Sequence, residues 1–229
     1  MGQEYHGCFQ TARARAAAWG VFPRRNRETR PRQAYMIATM NVALRQPLMT
    51  REQFFAWAQV QEGRFEFDGF RPVAMTGGNL RHNVIHFNIH VALRERLKGT
   101  GCRPLGSDAG VATIGDAVRY PDGVVTCKPF TGDEYVLPEP VAVFEVIGPT
   151  SGRVDRIIKV REYAAVPSIL RYVLVESASI GLTVLERRSG GEKWSATTLM
   201  AEDVLALPEM GIEIPVAELY EGVDFPAPD

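Results

Sequence analysis

The chain has 229 residues, 45% hydrophobic and 23% charged, which is enough apolar material for a proper core and an ordinary globular composition. No apolar run approaches the roughly 20 residues a spanning helix needs, and the longest, around Val141 to Ile147, suits a buried strand instead of a membrane span. The formal net charge of -1 hides an asymmetry: eight arginines against Glu4 and Glu28 give residues 1–46 a charge of +6, leaving -7 for residues 47–229. An acidic domain binds a polyanion only through a local basic patch or bound cations. The three cysteines, Cys8, Cys102 and Cys127, are far apart, with no CxxC pair to suggest a zinc knuckle or redox site, so a reducing, cytoplasmic setting is expected.

Residues 1–46 mix Arg, Ala and Pro without a sustained apolar period and read as a flexible extension: a solvated tail, an upstream start codon, a basic arm for nucleic acid, or a transit-like presequence. A folded domain is expected over 47–229. Thr50 and Gln53 form a capping box ahead of Phe54, Phe55 and Trp57, predicting a helix to about Glu62. Arg64–Phe67 and Arg71–Met75 read as strands joined through Asp68-Gly69, a hairpin signal. Ile85, Ile89, Ala92, Leu93 and Leu97 recur at helical spacing, predicting a helix from Arg81 to Lys98, stopped by Gly99 and Gly101. Strands follow at about Ala109–Ile114, Ala117–Tyr120, Val124–Cys127 and Val141–Ile147. After a loop at Gly148-Pro149, a helix is expected from Arg153 to Ala165, ended by Pro167. Arg171–Glu176, Leu182–Arg187 and Trp194–Leu199 are the last predicted strands. The strand-helix-strand passage from Val141 to Val175 implies a crossover, hence a mixed sheet.

Glu145 is the most informative residue, because it interrupts Val-Ala-Val-Phe-Glu-Val-Ile, a run otherwise suited to burial on both faces. A buried carboxylate must pair with a cation, bind metal or take up a proton. The alternative is a structural ion pair with an arginine, or a strand end that reaches solvent. Asp122, in Tyr-Pro-Asp-Gly, has a turn reading of its own, but together with Glu145 it can hold a divalent cation through hard oxygen ligands. Lys159 lies four residues after Asp155, a surface pair in the simplest account; turned inward, its ammonium would orient a water or stabilise developing charge. Tyr163 follows one turn later on the same side. His82, His86 and His90 form a drifting stripe with no HExxH and no cysteine partner, so they border the core, with His82 able to face a cleft. Glu66 alternates with Phe65 and Phe67 and so points away from their face, toward solvent on a strand or toward a site.

In this order, REQFFAW, RFEFDG, the histidine at His82, YPDGVV, PVAVFEVIGPTSGRVDRIIKVREYA and RYVLVES resemble the Uma-two family of endonuclease-like proteins, related to the PD-(D/E)XK nucleases, over about residues 49–220. The resemblance implies an α+β fold with a restriction endonuclease-like core, a mixed β-sheet flanked by helices. It implies Asp122 and Glu145 as metal-binding carboxylates, Lys159 as the catalytic lysine, and Glu66, His82 and Tyr163 as accessory residues of one cleft. The common nuclease pattern sets lysine two positions after the strand glutamate, where this chain has Ile147, and Gly123 stands where the family usually has an apolar residue. The expected activity is magnesium-dependent hydrolysis of DNA phosphodiesters, with manganese as the alternative metal and a homodimer as the assembly. Two rivals are a catalytically inactive module of the same fold that binds nucleic acid or protein, and a scaffold in which Glu145 merely pairs with an arginine.

Overall fold

The computed structural model describes residues 49–148 and 155–225. The Arg-rich stretch 1–46, the loop expected after Gly148 and the helix start expected at Arg153 lie outside the described residues. Helix α1 (Arg51–Ala58) carries the expected capping box, with the Thr50 side chain accepting from the Gln53 amide and the Gln53 side chain from the Thr50 amide. It stops one turn short of Glu62. Phe54 is its one buried residue, and Val60 beyond it is exposed, so nothing rewards another turn. β1 (Phe65–Phe67) and β2 (Pro72–Ala74) pair antiparallel. The Asp68 carboxylate accepts from the Phe70 and Arg71 amides, and Gly69 takes the left-handed φ of 90° that the turn needs.

Helix α2 (Leu80–Arg96) starts on the Asn79 side chain, which accepts from the His82 amide, and buries Ile85, Ile89, Ala92 and Leu93. β3 (Arg103–Leu105), β4 (Val111–Ala112), β5 (Val118–Arg119), β6 (Gly123–Thr126) and β7 (Pro140–Ile147) follow. A π-helical turn (Asp155–Lys159) runs into α3 (Val160–Ala164), and then come β8 (Arg171–Glu176), β9 (Leu182–Glu186) and β10 (Ser195–Leu199). β11 (Val204–Leu207), β12 (Ile212–Pro215) and a 3₁₀ helix (Val216–Tyr220) end the described chain.

The principal sheet has the order β10-β9-β8-β7-β6-β3, with β7 and β8 parallel and the remaining pairs antiparallel. A second sheet, β2-β1-β5-β4, stands beside it, and β11-β12 form a hairpin. The α+β class and the mixed sheet are as expected. α2, the hairpin and the 3₁₀ helix pack on one face of the principal sheet, around Phe144, Val146, Val173 and Val175. The opposite face, bearing Val143, Ile147, Tyr172 and Leu174, packs against Tyr163 of α3. Both faces are apolar, and each Val, Leu, Ile or Phe fully withdrawn from water contributes about 1.5–3 kcal/mol. Phe54, Phe67 and Val118 make a third, smaller core.

Two cysteines correct the sequence reading. Residues 102 and 127 follow the antiparallel β3–β6 register directly, one step beyond Arg103↔Thr126, and the Cys102 and Cys127 sulfurs are bonded at 1.96 Å. Separation by 25 residues in sequence concealed a pair that the sheet sets face to face. Among the described residues no helix is long and apolar enough to cross a membrane.

Candidate active site

Strand alternation delivers Glu145 to the same face of β7 as Val143 and Ile147, the face that α3 covers. That face is dry around Val143 and Ile147, so the carboxylate at 6% exposure needs partners. It has them: Lys159 Nζ donates to Glu145 Oε1 at 2.8 Å and the Tyr163 hydroxyl to the same oxygen at 3.2 Å. Burial raises the Tyr163 phenol well above its usual range, and the Glu145 charge adds to the effect, so the ring keeps its proton and donates. Lys159 is buried, which rules out the surface pair as its whole account. Ile147 explains the displaced lysine. The position two residues beyond Glu145 shares its face but is spent in the core, while the helix crossing that face carries the ammonium instead.

Glu66 is not on a solvated strand face, as simple alternation allows. It is 7% exposed, since the side of β1 away from the phenylalanines looks toward Lys159 and Arg119. Lys159 Nζ lies 3.3 Å from Glu66 Oε1, and the Tyr120 amide donates to that oxygen at 3.3 Å. Arg119, one residue along the β1–β5 ladder from the Phe67↔Val118 pair, donates to Glu66 Oε2 at 3.1 Å. Its guanidinium also grips both oxygens of Glu162 at 2.6 and 2.7 Å. Burial disfavours the Arg119 charge, but the Glu162 and Glu66 carboxylates outweigh it and raise its pKa further. Sequence reasoning missed Arg119 and Glu162. The available signal was a charge count: Glu66 and Glu145, buried on strands of two different sheets, require more cations than Lys159 supplies.

Asp122 does not close a hairpin. It lies between β5 and β6, where the chain leaves one sheet for the other. Its Oδ2 accepts from the Val146 amide at 2.7 Å and lies 3.3 Å from His82 Nε2. Burial alone would raise this carboxyl, but the His82 hydrogen bond and charge and the Val146 amide hold it below its usual value. His86 and His90 place their Nε2 atoms 2.8 and 2.9 Å from the Asp122 carbonyl oxygen, so the stripe on α2 fixes the backbone of this one residue. Burial is the largest influence on His90 and lowers its pKa. Gly78 permits the approach of His82, because a Cβ there would lie 2.4 Å from the imidazole Cγ. Gly123 opens β6 opposite Phe144, where a Cβ would meet Phe144, Ile89 and His90 only at ordinary contact distances of 3.4–3.7 Å.

Asp122, Glu145, Lys159, Glu66 and His82 therefore line one open cleft of about 380 Å³, while Tyr163 stands behind Glu145 in the core. Among the described residues there is no group of three or more His, Cys, Asp or Glu side chains arranged to hold a metal. The donor set still fits magnesium, which takes one or two carboxylates and completes its shell with water and phosphate oxygens. Asp122 would contribute Oδ1, which accepts no hydrogen bond among the described residues, and Glu145 would be shared with Lys159.

Comparison with known proteins bears on the family and the fold. The chain is 29% identical over 182 residues to the uncharacterized protein slr1290 of Synechocystis sp., covering 78% of this chain and 95% of that one. The crystal structure of a "putative nuclease belonging to DUF820" from Anabaena variabilis superposes with a TM-score of 0.57 at 13% identity, covering 75% of this chain and 97% of that chain, a likeness of fold. Restriction-endonuclease-like proteins generally use divalent metals. The family model described as "Uma2: Putative restriction endonuclease" matches residues 51–217, from the first residue of α1 into the 3₁₀ helix. With its cleft, its mixed sheet and this match together, the chain belongs to the Uma2 (Uma-two) family, on a restriction endonuclease-like fold.

Proposed function

We propose that the protein is a metal-dependent endonuclease that hydrolyses DNA phosphodiester bonds, with Asp122 and Glu145 holding magnesium and Lys159 assisting the attacking water. The observation that carries this reading is the convergence of Asp122 and Glu145, from different elements, on one cleft that Lys159 also lines. A divalent cation bound there would polarise a phosphoryl oxygen and lower the pKa of its water. Lys159, fixed between Glu145 and Glu66, presents a positive charge where the phosphate gains negative charge during attack. His82 and the Val146 amide fix one oxygen of Asp122 and so aim the other. Glu66 and Tyr163 hold Lys159 and Glu145 in place, and a site whose dipoles are set in advance needs no reorganisation at the moment of reaction.

The test uses the full chain with magnesium or manganese on single- and double-stranded DNA. Cleavage that Glu145→Ala abolishes while circular dichroism stays unchanged supports the reading; no cleavage of either substrate with either metal sinks it. A second reading, a catalytically inactive module of the same fold, draws on Ile147 at the usual lysine position and the charge of -7 over residues 47–229. Calorimetry with magnesium discriminates, because an inactive binding module need not take up metal at Asp122 and Glu145.

A further inference from the structure

A chain whose residues 47–229 carry -7 can hold a polyanion only where its surface departs from that average. One groove does. At the far end of α2 from the cleft, an open groove of about 540 Å³ is lined by Arg94, Lys98 and Arg103, together with Leu97, Gly101 and Phe130, and none of its lining residues is acidic. All three cations are exposed. Among the described residues none of them joins a salt bridge, whereas neighbouring Arg96 is committed to both oxygens of Glu218 at 2.7 and 2.6 Å.

The helix dipole gives a plain reason for cations at a helix C-terminus, worth a few tenths of a kcal/mol to about 1 kcal/mol each. It accounts for Arg94 and Arg96, both in the last turn of α2, but not for the convergence of Arg94, Lys98 and Arg103 on one groove. Arg94 and Lys98 are like charges four residues apart, an arrangement that costs stability. Arg103 belongs to a strand, and its guanidinium lies 5.1 Å from the centre of the Phe130 ring, which turns it across the groove mouth. The Cys102–Cys127 bond anchors the residue next to it. Three exposed cations around one groove, with no acidic residue in its lining, form the pattern of a site whose counter-charge arrives from outside.

We propose that Arg94, Lys98 and Arg103 bind the phosphodiester backbone of nucleic acid as a second contact on the substrate of the cleft. The proposal rests on the nuclease reading for its partner. At a rise of 1.5 Å per residue, α2 separates His82 from Lys98 by roughly 24 Å. That is about seven base pairs of duplex at 3.4 Å each, so one short stretch of substrate reaches both ends of the helix. The groove contacts phosphates and reads no sequence, which positions the substrate without specifying it.

The experiment is fluorescence anisotropy of a labelled 20-base-pair duplex with the full chain, calcium replacing magnesium to suppress hydrolysis, over a series of salt concentrations. The variant Arg94→Gln/Lys98→Gln/Arg103→Gln is expected to bind more weakly on every sequence. The slope of log affinity against log salt is expected to fall by about 2 to 3, at about 0.9 for each phosphate that the protein no longer neutralises. Lys128→Gln, outside the groove, is expected to leave the slope unchanged. Calorimetry with inorganic phosphate distinguishes a nucleic-acid backbone from a free anion. An unchanged slope in the triple variant, no binding by the parent protein, or inorganic phosphate binding as tightly as the duplex each overturns the proposal. Magnesium uptake that Glu145→Ala removes is measured separately, so the cleft reading stands or falls apart from the groove.

Discussion

Replacing Arg119 by methionine removes the cation that two buried carboxylates share. The methionine side chain would match the apolar stem of the arginine but donate nothing, leaving Glu162 without the bonds at 2.6 and 2.7 Å and Glu66 without the one at 3.1 Å. With only 5% of the arginine side chain exposed and the two carboxylates at 12% and 10%, water replaces little of what is removed. Removing one partner of a buried ion pair costs about 3–5 kcal/mol, because the charge left behind is uncompensated. In a domain of this size each kcal/mol is worth about 2–4 °C, so Arg119→Met should lower the melting temperature by roughly 6–20 °C. Urea unfolding at pH 7 measures the loss directly. Glu162→Gln in the same background should recover at least about 1 kcal/mol, giving a coupling energy between the two positions. A loss under about 1 kcal/mol with no coupling to Glu162 would refute the claim that Arg119 holds this cluster.

Other expectations follow from single contacts. Tyr163→Phe deletes the hydroxyl that donates to Glu145 Oε1 and should cost about 0.5–1.5 kcal/mol by urea unfolding, with a reduced rate of any magnesium-dependent cleavage. Reducing the Cys102–Cys127 bond frees a 25-residue loop in the unfolded chain and should destabilise the protein by about 3 kcal/mol; identical unfolding curves with and without reductant would contradict it. The exposed Glu134 accepts from the Thr131 and Gly132 amides, which lowers its pKa to about 2. Its folded value is depressed, so its contribution is complete above about pH 4.5 and disappears as the pH falls through about 2. A carboxyl carbon shift titrating near 4.5 would show that the amides do not hold it.

Most of the frame was legible because it is local. The capping box at Thr50, the helical spacing from Ile85 to Leu97 and the Asp68-Gly69 turn each depend on neighbours within a few residues, and each lies where its pattern predicts. β3 escaped because Pro104 argues against a strand, yet at the edge of a sheet a missing amide hydrogen is tolerated. The β11–β12 hairpin was not predicted: Val204-Leu205-Ala206-Leu207 is apolar throughout, and only in the fold does its burial follow a period of two, as does that of Ile212-Glu213-Ile214-Pro215. In the cleft, Glu145 announced itself as a charge in an apolar strand, whereas Arg119 and Glu162 stand 43 residues apart and are joined only by the fold. Cys102 and Cys127 were hidden for the same reason: register, not spacing, brings them together.

Lys159 touches one carboxylate from each of two sheets, Glu66 on β1 and Glu145 on β7. The ammonium is thus a rivet across a seam as well as the proposed reactive cation of the cleft, and a chain cannot discard it for chemical reasons alone without loosening its own architecture. A descendant that had stopped cleaving anything would still be under selection to keep Glu66, Glu145 and Lys159 together. Persistence of the three among relatives therefore measures the cohesion of the fold, and only the carboxylate that ties no sheets through Lys159, Asp122, is left to vary with the chemistry.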